Sequence, residues 1–136
     1  MIEYRSNSGI AIHVGQSAKE NDDLRADADE DWWWFHVTNH PGAHVFARAT
    51  TLDRETKRDA AVLAVHHSKA PKTMKMTPVD MCRVRHVHKR PGAPHGQVEI
   101  ENATILTVFM NKAVEKARLG RLLTGLTNEG VGVHDV

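Results

Sequence analysis

Ten histidines stand among 136 residues, and their spacing is the first chemistry to weigh. His86 and His88 lie two apart, which on a strand puts both imidazoles on one face. His36 and His44 flank a turn between neighbouring strands. Three such nitrogens and a water would suit zinc. A metal-dependent hydrolase built on His36, His44, His86 and His88 is therefore one reading. The sequence holds no Cys-x-x-Cys or His-Glu-x-x-His, and the nearest acids on plausible strands are Asp80 and Glu99. Neutral histidines also serve as hydrogen-bonding groups in cores and on surfaces. No metal and no other cofactor is expected. Cys82 beside Arg83 could carry a lowered pKa, but a buried, inert thiol is the commoner case. Ser17 could open an anion site at a helix start, although a capping box already explains it. No catalytic triad emerges, and no catalytic residue is assigned.

The second chemistry is phosphate binding. Net charge is only +1 but is unevenly spread. Residues 1–31 carry three Lys/Arg against eight Asp/Glu, and residues 32–136 carry fifteen against nine. Between His67 and Val98, seven basic residues face a single acid, Asp80. Lys69 and Lys72 follow a helix end, Arg83 and Arg85 fall on one strand face, and Lys89 and Arg90 enter a loop. Together they can present one cationic face to RNA phosphates, where counterion release supplies affinity. A solvated basic surface is the plainer alternative. Trp32-Trp33-Trp34 adds aromatic area for stacking unpaired bases. Adjacent strand residues point to opposite faces, so Trp34, and with it Trp33, is expected in the core, leaving Trp32 the most exposed.

The elements that position these residues follow from periodicity and punctuation. Residues 9–14 read as a strand, with Ile2–Tyr4 pairing across a turn at residues 6–9. Ser17 and Glu20 form a capping box for a helix over residues 18–28, its acids mostly facing solvent. Residues 32–38 form a strand, Asn39-His40-Pro41-Gly42 a turn, and residues 44–49 the return strand. Asp53 caps a helix over residues 54–68, with Ala60, Leu63, Ala64 and His67 on one face and Glu55, Arg58 and Asp59 solvated. Residues 79–88 read as a third long strand. Residues 97–101 and 104–110 read as a hairpin around Asn102-Ala103. In a helix over residues 113–126, Val114, Ala117, Leu122 and Leu126 pack while Lys116, Arg118 and Arg121 face out, and a loose tail follows from Asn128. The fold class is α+β: a mainly antiparallel β-sheet with two or three helices packed on it, in a single domain.

Several of these pieces stand in a known order. Gly15 is followed by Asn21-Asp22-x-Leu24, then Trp34-Phe35-His36, Pro41-Gly42-x-His44-Val45, Ala60-Ala61-x-Leu63-Ala64, Ser68-Lys69 and a basic loop running to Gly96-x-Val98. This order resembles the NFACT-R domain, the RNA-binding module of the NFACT proteins. The likeness covers about residues 3–110 in domain-length terms. Residues 1–111 are read as the NFACT-R-like part and residues 112–136 as a C-terminal helix and tail. The chain departs from the pattern at Gln16, where the family has Arg or Lys. It departs again at Trp32, where the family has Asp, and at Pro94-His95-Gly96, where the family has Lys-Pro-Gly.

The resemblance implies a non-enzymatic, stand-alone RNA-binding module for structured RNA, rRNA or tRNA. The implied setting is ribosome-associated quality control, with the ribosome as a partner. Lys69, Lys72, Arg83, Arg85, Lys89 and Arg90 would supply affinity, with Trp32, His36 and His44 shaping the site. A protein-interaction adaptor that uses the C-terminal helix is the third reading. A lone cysteine, the absence of an apolar run near 18 residues and the lack of a signal-peptide core lead to a cytoplasmic location and no membrane partner. A homo-oligomer remains open.

Overall fold

The computed structural model describes the backbone of residues 1–134 and the side chains of residues 1–126. It is α+β, as expected: a six-stranded antiparallel sheet, a two-stranded ribbon and three helices. Strands β1 (Ile2–Arg5), β2 (Ala11–Val14), β3 (Trp33–Val37), β4 (Val45–Ala47), β5 (Thr77–Arg83) and β8 (Thr104–Val108) make the sheet in the order β1-β2-β4-β3-β5-β8. Strands β6 (Val87–His88) and β7 (Glu99–Ile100) pair with each other as a separate ribbon. Helices α1 (Ala18–Asp27), α2 (Arg54–His66) and α3 (Ala113–His134) cover the sheet. No described helix is long and apolar enough to cross a membrane.

Strand alternation divides the core in two. On one face Ile12, Val14, Phe35, Val37, Val45 and Val79 meet Ala60, Leu63 and Ala64 of α2, and Leu122 of α3 joins them. On the other face Trp34, Phe46 and Cys82 meet Val84 and Val87, with Leu24 of α1 and Ile100 of β7 packed against them. Both caps form as the spacing predicts. Ser17 Oγ accepts from Glu20 N at 3.1 Å, Glu20 Oε1 accepts from Gln16 N at 2.9 Å, and Asp53 Oδ2 accepts from Thr56 N at 3.3 Å.

Several expectations are corrected. The strand read over residues 79–88 ends at Arg83, and Val84–His86 form a single 3-10 turn before β6. Val84 and Val87 are both buried in the same cluster. Residues three apart share a side in a 3-10 turn but fall on opposite faces of a strand. Arg83 and Arg85 therefore do not lie on one strand face. Residues 97–101 and 104–110 do not pair with each other: β7 joins β6, and β8 adds to the edge of β5. Leu106 and Val108 then reach the larger core.

Of the α2 charges expected in solvent, Asp59 is buried, while Glu55 and Arg58 are part-exposed and paired with α3. Asp59 is fully buried and pairs with Arg118 at 2.9 Å and Arg121 at 2.6 Å, while Arg58 pairs with Glu115 at 2.7 Å. In α3 the same network turns Arg118 and Arg121 inward and leaves Val114 and Ala117 exposed. Helix α3 thus packs on α2 and β1. The tail expected from Asn128 falls where α3 continues to His134; its side chains, with Asp135 and Val136, lie outside the described residues.

Candidate nucleic-acid interface

A cleft of about 1200 Å³ opens between the N-terminal end of α1, the turn after β3 and the loop that precedes β7. Gly15, Asn21, Trp34, His36, Gly42, His44, Lys69 and Gly96 all line it. These are residues from every motif of the ordered series except the apolar face of α2, brought together from positions up to 81 apart in sequence.

Close backbone approaches hold the walls. A Cβ on Gly15 would overlap Asn21 Oδ1, and one on Gly42 would lie 2.8 Å from Ser68 Cα. Only glycine fits at either place. Asn21 is buried and accepts from His44 N at 3.2 Å, and Gly15 N donates to His44 O at 3.1 Å. Gly42 bridges to Ser68, Lys69 N donates to Pro41 O at 2.8 Å, and so the turn is tied to the end of α2.

Asp22 anchors the third wall. It accepts from Gly96 N at 3.0 Å and pairs with His95 at 3.0 Å and Lys89 at 3.1 Å. Burial pushes this carboxyl up, but the bonds from His95, Gly96 and Lys89 outweigh it and hold the pKa at about 2. The acids of α1 were expected mostly on its solvent side, and Asp22 is an exception. It instead fastens the basic loop to the helix.

His36 and His44 sit together over Trp34. The His36 ring lies parallel to Trp34 at 5.7 Å between centroids, and His44 meets both rings edge-on at 5.3 Å. His44 is 2% exposed, and burial and the neighbouring His36 drive its pKa down to about 4. Burial also lowers His36, against the attraction of Asp80. Both rings are neutral at pH 7. His44 Nε2 donates to Gly96 O at 3.1 Å, because a carbonyl can only accept. The proton is then on Nε2, and Nδ1 is a bare acceptor. It is buried without a hydrogen-bond partner, as is the Trp34 indole N–H.

The four histidines read as metal ligands do not converge. His36 and His44 line the cleft, whereas His86, at the end of the 3-10 turn, and His88 of β6 meet Glu101, just after β7, at 3.6 Å and 2.7 Å. Among the described residues, no group of three His, Cys, Asp or Glu side chains could hold a metal ion. Cys82 is buried, and burial, with Asp80 nearby, pushes its thiol up to about 12, so it is no nucleophile.

The six cations are dispersed. Lys69 lines the cleft and its ammonium has no partner among the described residues. Lys72 Nζ donates to Val65 O, His66 O and Ser68 O at 3.2–3.3 Å, closing the C-terminal end of α2. Arg83 lies 4.2 Å over the Trp33 ring and donates to Asp31 O at 2.6 Å and Thr50 O at 3.1 Å. Arg85 pairs with the Asp31 carboxylate, and Arg90 with Glu99 at 2.6 Å. Lys89 is held by Asp22, Pro94 O and Gln97 O. Trp32 is half-buried, with Arg48 stacked 4.7 Å from its ring centre. Sequence reasoning missed Asp80, Asn39, Gln97 and His67 as cleft residues. Their only advance signal was Asp80's isolation in a basic stretch.

Comparison with known proteins supports the family and the fold. The model of the NFACT protein RNA binding domain matches residues 1–102. Among curated proteins, the chain is 38% identical over 108 residues to the Rqc2 homolog RqcH of Bacillus subtilis (strain 168). That match covers 79% of this chain and 18% of the relative, so the chain spans about a fifth of that protein's length. Among solved structures, it is similar to the C-terminal part of the fibronectin/fibrinogen-binding protein from Streptococcus suis. The TM-score is 0.75 at 31% identity, covering 85% of this chain and 47% of that one. A family match over three quarters of the chain, with the family's motif residues gathered on one cleft, makes this chain a member of the NFACT-R family of RNA-binding domains.

Proposed function

We propose that this domain binds structured RNA, of the rRNA or tRNA kind, through the cleft and its rim, and catalyses nothing. The convergence of the motif residues on one cleft, with a Lys69 ammonium that has no partner among the described residues, carries this reading. The cleft offers neutral rings, amides and backbone, which suit bases and sugars, and a free cation for phosphate. Lys72 and Arg83 bond to carbonyls and not to acids, so both keep an uncancelled charge, Lys72 beside Lys69 at the end of α2 and Arg83 over Trp33, away from the cleft. Arg85 and Arg90 are in exposed ion pairs, which are weak and can yield to a phosphate. Lys89 builds the wall. His36 and His44 shape the site, and Trp32 with its Arg48 partner extends the surface beyond it.

The likeness to RqcH, named for its homology to Rqc2, supports a place in ribosome-associated quality control, with the ribosome as partner and the cytoplasm as location. The test is binding of a fluorescent structured RNA at several salt concentrations, with duplex DNA as control. Steep salt dependence and preference for RNA support the reading. No binding at low salt overturns it.

A further inference from the structure

Asp80 is the only acid that lines the cleft among the described residues, and it has no hydrogen bond or ion pair there. Placing a free carboxylate where a polyanion docks weakens binding unless the ligand brings donors to it. Asp80 is the cross-strand partner of His36, so the two side chains stand side by side on the same face of the sheet. The His36 ring is held flat by its parallel contact with Trp34. Beside that ring, His44 Nδ1 is a second acceptor without a donor. The cleft therefore holds an aromatic platform bordered by unmet acceptors, with Lys69 as its cation.

We propose that the cleft takes one unpaired guanine base of the bound RNA, with Asp80 as the residue that selects it. This rests on the RNA-binding reading above. The two oxygens of a carboxylate accept two parallel N–H bonds. Guanine presents such a pair, N1–H and the N2 amine, side by side on its Watson–Crick edge. Adenine, cytosine and uracil each set a single donor group beside an acceptor, which a carboxylate repels. The base lies over the His36 imidazole and turns that edge to Asp80, as unstacked bases in loops are read. Lys69 meets the adjoining phosphate. Asp80 is thus a specificity residue: it adds little to affinity for RNA at large and rejects the wrong base.

The experiment uses the full chain and RNA hairpins whose loops are all uridine except for one central position, followed by fluorescence anisotropy. Guanosine at that position should bind about tenfold tighter than adenosine, cytidine or uridine, in the range of one good bidentate contact. Inosine, which lacks the N2 amine, should fall between. Asp80→Asn should bring the four bases to within about twofold of one another while leaving the salt slope unchanged. Asp80 is half-exposed and makes no hydrogen bond, so this variant keeps the fold, and an unshifted melting temperature verifies it. Equal binding of all the hairpins by the wild-type chain, with steep salt dependence, overturns the guanine assignment and leaves the RNA-binding reading standing. A preference for guanosine that persists in Asp80→Asn overturns the role of Asp80. No binding of any hairpin or structured RNA at low salt overturns the RNA-binding reading and this assignment with it.

Discussion

On the α2 side of the sheet, Phe35, Val37, Val45, Val79 and Leu63 are fully or almost fully buried, and the fully buried Asp59 is matched by two arginines and by Asn7 N at 2.9 Å. On the α1 side, Trp34 and His44 are almost as deeply buried, yet each keeps a polar nitrogen without a partner. Buried polar groups are normally satisfied, because an unmet one costs about 1–3 kcal/mol. One face of the sheet is closed by apolar packing and a charge network. The other is left open at a cleft, and the unmet nitrogens of Trp34 and His44 adjoin that cleft. The one unmet nitrogen of the charge network among the described residues, Arg118 Nε, is instead enclosed between α2 and α3. The contrast separates what holds this domain together from what it offers a ligand.

Four experiments can break or sharpen that contrast. The largest effect belongs to the closed face. Asp59→Ala removes the buried carboxylate shared by Arg118 and Arg121, and leaves Arg118 with Glu55 and Arg121 part-exposed. It should cost about 2–4 kcal/mol, toward the low end for a broken buried pair. Urea unfolding measures it, and RNA affinity of the folded protein should not change. On the cleft side, Gly15→Ala forces Asn21 away from His44 N. It should cost about 1–3 kcal/mol and also weaken RNA binding, because the same bonds shape the wall. Equal loss of RNA affinity in both variants would mean that the two faces are not separable.

Acid should act through the neutral rings. Burial first, then neighbouring positive groups, lower both His44 and His67 to about 4, below the ordinary histidine value of 6.5. Between those values the unfolded chain binds protons that the folded chain refuses, so stability falls as pH drops from 6.5 toward 4. Asp22, near 2, stays ionised throughout this window. Melting temperatures at about pH 7.5 and about pH 5 test this, and a flat profile would mean that the rings are not buried neutral. The smallest effect on stability belongs to Lys69→Ala, within about 0.5 kcal/mol for an exposed, unpaired side chain. Its salt slope for RNA should flatten by about one unit. An unchanged slope would remove Lys69 from the phosphate contacts.

What could be read from the chain alone were the features whose partners lie close in sequence. Ser17 and Asp53 each cap a backbone N–H three residues on. The alternation of Trp33 to Val37 assigns each side chain to a face. The ordered motifs from Gly15 to Val98 identified the family, since their spacing is preserved in the linear chain. Such signals survive because local geometry has few solutions.

Only the tertiary structure decided which charges are free. Lys69 and Lys72 are three residues apart, yet one faces the cleft and the other closes a helix end. Asp59 looked solvated until Arg118 and Arg121, about sixty residues later, were folded over it. Asp22 became a wall anchor only when Gly96, 74 residues on, came within 3.0 Å. Likewise, β8 had two possible neighbours, and the open edge of β5 took it because Leu106 and Val108 then reach the core. Charge and hydrogen-bonding partners at this range are chosen by the packing of whole elements. The type of a residue states what bond it can make, and the fold determines whether that bond is already made.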